Sequence, residues 1–330
     1  MIFRQPPCLI APTPLPLNRK TPATALATLK ASNTRLITFM TTSLCCEISL
    51  VTLFTVNSAE NMSVTAIIPT FNSEKAVIRA LDSVMNQSVR PQEIIVVDDA
   101  STDNTVDVVR KFAARHPELR LLVNEQNLGP GPTRNRGWNL ASSDFVAFLD
   151  ADDSWHPQKL ELQLKFFTEN PGEVACGTIH QIAGQTEATQ VTIDSTSGIS
   201  KFSLNDLLRR NRFTTPSTML RRKIAQRFDP DLRLAEDYLL WMSIAADHGH
   251  VSRINQPLTT LHKPIFGSAG LSSKTLAMFV GEIRALNSLR TTMRLSNSKF
   301  AFSVLWSALK LVRRFPRSIS RKVIWKLAND

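Results

Sequence analysis

The chain of 330 residues carries 39 lysine and arginine residues against 28 aspartate and glutamate residues, a formal net charge of +11. Its 43% hydrophobic and 20% charged residues are ordinary for a globular protein and exclude wholesale disorder. The four cysteines, two of them adjacent at Cys45 and Cys46, match neither a disulfide framework nor a zinc site. We therefore expect a chain of the reducing cytoplasm.

The positive charge is concentrated at the two ends of the chain. Residues 1–61 hold five basic and two acidic residues, and residues 299–330 hold eight basic residues and one acidic residue. Residues 62–298 are therefore almost neutral, and they contain no nucleic-acid recognition motif. We expect no nucleic-acid partner.

The first 61 residues differ in composition from the rest, since they contain no glycine and no aspartate. The stretch Leu36–Val56 has the length of a membrane span, but Glu47 lies near its centre, where an acid is costly. Three interpretations are open: a start codon assigned upstream of a true start at Met62, a disordered or weakly anchored extension, and a transmembrane anchor.

From Met62 the sequence alternates between strand and helix patterns. Buried runs rich in β-branched residues predict four strands, at Val64–Ile68, Glu93–Val97, Leu119–Val123 and Phe145–Leu149. Apolar residues at helical spacing predict four helices, at Glu74–Met85, Thr102–Ala114, Thr133–Leu140 and His156–Glu169. This order predicts an α/β fold in which a mainly parallel sheet has helices on both faces.

Polar residues gather where the predicted strands end, which is where such sheets bind ligands. They lie at Thr70–Glu74, at Asp98 and Asp99, and at Asp150–Asp153. The three acids of Asp150–Asp153 repel one another and would suit a divalent cation that also binds a diphosphate, or they form a solvated turn that caps the next helix.

The loop Asn127–Asn135 contains two glycines and two prolines before a predicted helix. Glycine permits a close approach of the backbone, and a helix N-terminus attracts an anion. Arg134 could pair with a phosphate or with an acid of the site. An ordinary Gly/Pro turn is the alternative.

Taken together, these stretches resemble the nucleotide-binding half of the inverting family 2 glycosyltransferases with the GT-A fold. Four stretches carry the resemblance: Ile67–Glu74, Ile94–Thr105, Asn127–Gly137 and Phe148–Asp153. The resemblance implies Mg²⁺ or Mn²⁺ as cofactor, Asp152 on the metal, and Asp150 near the ribose. It also implies that the nucleotide lies over a set of residues at the ends of the first strands, namely Pro69, Phe71, Asn72, Glu74 and Asp99.

The second half contains Leu234–Trp241, which resembles the family's Glu-Asp motif at a helix start. The resemblance implies Asp237 as the general base and Glu236 as its neighbour or an acceptor ligand. Acids are favoured in any first helical turn, which is the alternative reading. Trp241 could be core or a platform for the acceptor sugar, and His262 is expected near the metal or the diphosphate.

From Phe300 to Leu327 apolar residues recur at helical spacings among basic residues. Such a segment lies on an anionic membrane surface, or it packs on the domain with a solvated basic face. We divide the chain into an atypical extension (1–61), a glycosyltransferase domain (62–273, with halves 62–155 and 156–273) and basic amphipathic helices (274–330).

The sequence thus predicts transfer of a sugar, with inversion, from a nucleoside-diphosphate sugar to a hydroxyl of a growing glycan. The resemblance implies a UDP-sugar donor, a glycan or lipid-linked glycan acceptor, and a role in bacterial surface polysaccharide or lipopolysaccharide assembly. We expect a cytoplasmic protein, with peripheral contact at the inner face of the plasma membrane through its tail. A polyprenyl-phosphate sugar synthase and a non-catalytic module that binds sugar nucleotides or membranes are the alternatives.

Overall fold

The computed structural model describes residues 62–184, 198–262 and 275–312. The predicted extension (1–61) and residues 313–330 of the predicted basic tail lie outside the described residues.

The described strands form one nine-stranded sheet. They are β1 (Val64–Thr70), β2 (Glu93–Asp98), β3 (Leu119–Val123), β4 (Phe145–Phe148), β5 (Ser154–Trp155), β6 (Ala175–Ile182), β7 (Ile199–Phe202), β8 (Met219–Arg221) and β9 (Val251–Leu261). Their order is β3-β2-β1-β4-β8-β6-β9-β5, and β7 also pairs with β9.

The first four strands are parallel, so their carboxyl ends lie at one edge of the sheet. This confirms the four predicted strands and their direction. Beyond β4 the sheet is mixed: β8 is antiparallel to β4 and β6, whereas β6 and β9 are parallel. The short strand β5 is antiparallel to β9 and pairs Ser154 with Thr260.

The four predicted helices are present with shifted ends. The described helices are α1 (Val77–Met85), α2 (Thr105–Ala113), α3 (Pro130–Leu140), α4 (Lys159–Glu169), α5 (Leu204–Arg209), α6 (Glu236–His248), α7 (Thr275–Thr291) and α8, which is helical over residues 297–312. Helix α3 begins three residues earlier than predicted, because proline fits the first turn of a helix, where its missing N–H costs nothing.

The core lies on both faces of the sheet, as predicted. Successive strand side chains point to opposite faces. Ile67 therefore joins the core that contains Trp138 of α3 and Trp241 of α6, whereas Ile68 joins the core that contains Leu81 of α1. Helix α7 packs into the first core through residues that include Leu286.

Within the three described ranges, no helix combines the length and the apolar character that a membrane span requires.

Candidate active site

The ends of β1 and β2 are fastened to each other by the buried carboxylate of Asp98. It accepts hydrogen bonds from the Thr70 hydroxyl (3.0 Å) and from the backbone N–H of Ser101 (2.9 Å). The two loops that follow these strands are thereby held side by side at the edge where parallel sheets bind ligands.

Asn72 and Glu74 hold the same two loops together. Asn72 adopts a positive φ of 47°, and its side-chain oxygen accepts from the Thr102 N–H at 2.8 Å. Glu74 accepts from the Asn104 N–H at 3.1 Å. Pro69 is half-buried, whereas Phe71 is 48% exposed and offers an aromatic surface at this edge. Of the residues predicted to contact the nucleotide here, Phe71 is thus the best placed for stacking.

Asp99 is buried and anchors the Gly/Pro loop. Its two carboxylate oxygens accept from the N–H of Leu128 (2.9 Å) and the N–H of Gly129 (2.8 Å), and from the Asn124 amide (2.7 Å). The sequence predicts that Asp99 contacts the nucleotide, and this stays a prediction. The structure shows that both of its oxygens also bond within the protein.

The N-terminus of α3 offers little to an anion, contrary to the prediction. Pro130 and Pro132 have no N–H, and the Thr133 N–H donates to the carbonyl of Gly129 at 3.3 Å. Gly131 serves packing: a Cβ there would lie 3.3 Å from Cγ of Glu236 and 3.4 Å from Cβ of Phe228. The glycine therefore lets α3 and α6 approach closely.

Arg134 bridges the two acidic motifs. Its side chain is buried, Nη2 lies 2.6 Å from Oδ1 of Asp150, and Nη1 lies 3.2 Å from Oε1 of Glu236. The guanidinium also lies over the ring of Phe228, 5.4 Å from its centre. Burial opposes the charged form, but Asp150 and Glu236 outweigh it and raise the pKa of Arg134. Of the two predicted partners, phosphate or acid, the structure shows the acid.

Helix α6 begins after Ala235, whose φ of 62° turns the chain so that Glu236 and Asp237 enter the site in the first turn. Burial and repulsion by Asp237 raise the pKa of Glu236 to about 7, against the opposing charge of Arg134. Burial also raises the pKa of half-buried Asp237, although the Tyr238 N–H and Arg134 oppose this. A carboxylate with a raised pKa is a stronger base than an exposed one.

The acidic turn after β4 contains Asp150, half-buried Asp152 and buried Asp153. Burial and repulsion by Asp150 and Asp152 raise the pKa of Asp153 to about 8. His262 lies beside this turn, because the pairing of β5 with β9 brings it there. The backbone N–H of His262 donates to Oδ1 of Asp153 at 3.2 Å. The ring atom Nε2 of His262 shares a hydrogen bond of 2.8 Å with the Ser154 hydroxyl.

Carboxylate oxygens are suitable ligands for Mg²⁺ or Mn²⁺. The described residues contain no group of three or more His, Cys, Asp or Glu side chains arranged to hold a metal. Asp152 offers one carboxylate of the kind that Mg²⁺ takes together with diphosphate oxygens and water, and its charge acts on the neighbouring His262.

Trp241 is fully buried and does not present a face to an acceptor. Its ring packs 6.2 Å from the ring of Phe213 and 6.5 Å from that of Phe228. Of its two predicted roles, the structure supports the core and not the sugar platform. A residue that the sequence did not indicate, Asn211, lies close enough to Asp237 for its side chain to oppose the rise in the pKa of that carboxyl.

The site lies at the carboxyl ends of the parallel strands, between an acidic turn and an acidic helix start, and comparisons with known structures assign this α/β fold to the GT-A-type glycosyltransferases. Residues 65–228 match the family described as Glycosyl transferase family 2. Over 197 residues the chain is 32% identical to the "UDP-Glc:alpha-D-GlcNAc-diphosphoundecaprenol beta-1,3-glucosyltransferase WfgD" of Escherichia coli. The matched region covers 58% of this chain and 73% of that relative. The chain belongs to glycosyl transferase family 2 and is a glycosyltransferase.

Other relatives match over a smaller part of their own length. The "Amylovoran biosynthesis glycosyltransferase AmsB" of Erwinia amylovora is 34% identical over 34% of this chain and 38% of the relative. The "Poly(ribitol-phosphate) beta-glucosyltransferase" of Bacillus spizizenii is 25% identical over 82% of this chain and 43% of the relative.

Two solved structures share the fold. TarS 1–349 of S. aureus in complex with UDP-GlcNAc has a TM-score of 0.58 and 22% identity, covering 77% of this chain and 73% of that one. The mannosyltransferase PcManGT of Pyrobaculum calidifontis, in complex with GDP-Man and Mn²⁺, has a TM-score of 0.53 and 17% identity, covering 85% and 88%.

Proposed function

We propose that this chain transfers a sugar, with inversion, from a nucleoside-diphosphate sugar to a hydroxyl of a bacterial surface glycan or its lipid-linked precursor. The name of WfgD gives a UDP-Glc donor and a GlcNAc-diphosphoundecaprenol acceptor, the name of AmsB gives amylovoran biosynthesis, and UDP-GlcNAc is bound in the TarS neighbour. These names support a UDP-sugar as the first donor to test.

The observation that carries the proposal is the bridge made by Arg134. One buried guanidinium holds Asp150 of the acidic turn and Glu236 of the α6 start, within 2.6 and 3.2 Å. Asp237 follows Glu236 directly. The acids expected on the donor side and the base expected on the acceptor side therefore belong to one connected cluster.

In the proposed reaction the acceptor hydroxyl attacks the anomeric carbon, while the bond from that carbon to the diphosphate oxygen breaks. Asp237 accepts the hydroxyl proton, and a single displacement inverts the anomeric centre. Asp152 and His262 would hold Mg²⁺ or Mn²⁺, which when bound would neutralise charge on the departing diphosphate. Arg134 keeps Glu236 and Asp150 in place around the reacting atoms.

The test is a screen of nucleotide sugars for metal-dependent hydrolysis and transfer by the full chain. We expect Asp237→Asn to reduce transfer at least about a hundredfold, because the variant has no general base. The matched control is Asp231→Asn, on the exposed loop before α6. Full activity of Asp237→Asn would favour a polyprenyl-phosphate sugar synthase, whose phosphate acceptor needs no strong base.

We also propose that α8 mediates peripheral contact with an anionic membrane. Four of its large apolar side chains face solvent: Phe302, Leu305, Leu309 and Val312 are 62%, 69%, 48% and 67% exposed. Its side facing the protein carries Ser303 and Ser307, both 2% exposed, and Phe300 and Val304, which pack against the core. The helix thus presents a second apolar stripe outward, and the sequence of residues 299–330 contains eight basic residues. This pattern is typical of helices at lipid surfaces.

A further inference from the structure

Three arginines gather beside the start of α6 without a part in the chemistry described above. Arg210 and Arg212 follow α5, and Arg253 lies on β9. The guanidiniums of Arg212 and Arg253 both lie over the ring of Phe202, at 5.4 and 4.9 Å from its centre. We call these three residues the arginine cluster.

Within the part of the chain that the structure describes, none of the three arginines forms an ion pair with a carboxylate. The Arg253 guanidinium donates to the Asn255 amide oxygen at 3.2 and 3.3 Å, and Nε of Arg212 is buried without a hydrogen-bond partner. The carboxylate of Asp206 caps α5 through Ser203 and also interacts electrostatically with Arg212, without forming an ion pair with it. Among the described residues, three positive charges thus lie together with no ion-paired carboxylate.

The positive charges of the cluster lower the pKa values of groups within and beside it. Burial, with the charges of Arg212 and Arg210, lowers the pKa of Arg253. Burial, with the charges of Arg253 and Arg210, likewise lowers the pKa of His180 on β6. Clustered like charges are unfavourable, and a bound anion would relieve their repulsion.

The cluster lies next to the first turn of α6. Asn211 stands between Arg210 and Arg212 in the sequence, and its side chain lies close enough to Asp237 to oppose the rise in the pKa of that carboxyl. Its amide oxygen accepts from the Phe213 N–H at 3.1 Å. Any group bound by the cluster would therefore lie near the residue that deprotonates the acceptor in our proposal.

The cluster is separate from the site expected for the donor diphosphate. Arg253 pairs with Gly177, and Leu261, the neighbour of His262, pairs with Ile182. These two positions are five residue steps apart along β6, about 16 Å at the usual rise of a strand. A donor diphosphate beside His262 does not reach the arginine cluster.

We propose that the arginine cluster binds a phosphate or diphosphate group of the acceptor. Guanidinium groups bind phosphate oxygens in pairs, with charge on both partners, and are well suited to this ligand. The inference rests on the proposed function, because it takes Asp237 as the base for the acceptor hydroxyl. The group would fix the acceptor so that its hydroxyl is presented to Asp237.

The test is calorimetric titration of inorganic phosphate and pyrophosphate into the full-length protein, with a chelator present and ionic strength fixed. We expect Arg210→Met, Arg212→Met and Arg253→Met each to weaken binding about tenfold or more. Arg253→Lys should recover part of the affinity. The control is Arg110→Met on α2, whose side chain is 65% exposed and should not matter. Arg210 is exposed, so its substitution leaves the packing on Phe202 intact.

Equal phosphate affinity in Arg210→Met and the wild-type protein, or no binding by the wild type, would overturn the inference. Donor hydrolysis by the wild type tests the proposed function separately. Competition with dodecyl diphosphate and with glycerol 3-phosphate identifies the source of the group. Preference for the first indicates a lipid-linked diphosphate acceptor, and preference for the second indicates a phosphodiester polymer.

Discussion

Arg134 is the residue on which the site depends most, because two carboxylates from distant parts of the chain share it. Its removal would leave buried Glu236 and half-buried Asp150 without their counter-charge. We expect Arg134→Met to lower the free energy of unfolding by about 3–5 kcal/mol, as for other broken buried ion pairs. Urea unfolding measures this, with Arg120→Met as control, since that surface pair with Glu93 is worth about 1 kcal/mol or less. A loss no larger than in the control would contradict the bridge.

A second prediction concerns the pH dependence of stability that Glu236 causes. Because its folded pKa is about 7 and its ordinary value is 4.5, the folded protein binds more protons than the unfolded chain between these values. This group's contribution to stability is therefore present below about pH 4.5 and is lost as pH rises through 7. Glu236→Gln should flatten that fall in unfolding free energy between pH 5 and pH 8. A slope identical to wild type would show that the pKa of Glu236 is not raised.

For individual residues, motifs indicated Asp150, Asp152, Glu236 and Asp237 as site residues, and the structure brings Asp150 and Glu236 together on Arg134. The anchoring of the Gly/Pro loop by Asp99 could not be predicted, since its partners Leu128 and Gly129 lie about 30 residues away and bond through the backbone. The burial of Trp241 depends on α6 packing against Phe213 and Phe228, which no local pattern reveals.

At the scale of secondary-structure elements, a third prediction concerns Gly131, where α3 approaches α6 closely. A methyl group there meets Glu236 and Phe228, so Gly131→Ala should move the start of α6 and displace Asp237. We expect transfer to fall by up to about a hundredfold, the cost of small misplacements in a catalytic site. Gly172→Ala is the matched control, because its added Cβ meets nothing within 4 Å. Equal rates for the two variants would exclude a tight contact at Gly131.

The parallel strands β1, β2 and β4 were predictable because they are buried on both faces and read as continuous apolar runs. Strand β3, whose Arg120 and Val123 are exposed, was predictable from its three leucines and its valine. The later strands were largely not. β5 has two residues, and β7 alternates exposed and half-buried residues that pair only in the context of β9. Their positions follow from the tertiary structure.

For the whole molecule, the separation of charge predicts how the protein meets a lipid surface. We expect the full chain to sediment with vesicles that contain phosphatidylglycerol and less with phosphatidylcholine alone. Replacing Leu305 and Leu309 by glutamate should reduce binding at least about tenfold, since each buried leucine contributes about 1.5–3 kcal/mol. Met293→Glu, at a 91% exposed position before α8, is the control. Unchanged sedimentation of the double variant would remove the membrane assignment from α8.

The two-residue strand β5 has a consequence for the order of folding. Its pairing with Thr259 and Thr260 joins the acidic turn to a strand more than a hundred residues further along. Closing so long a segment costs chain entropy before the contact can form. The turn that carries Asp150 and Asp152 can therefore reach its final place only after β9 has joined the sheet. We expect competence to bind the donor to appear among the last events of folding.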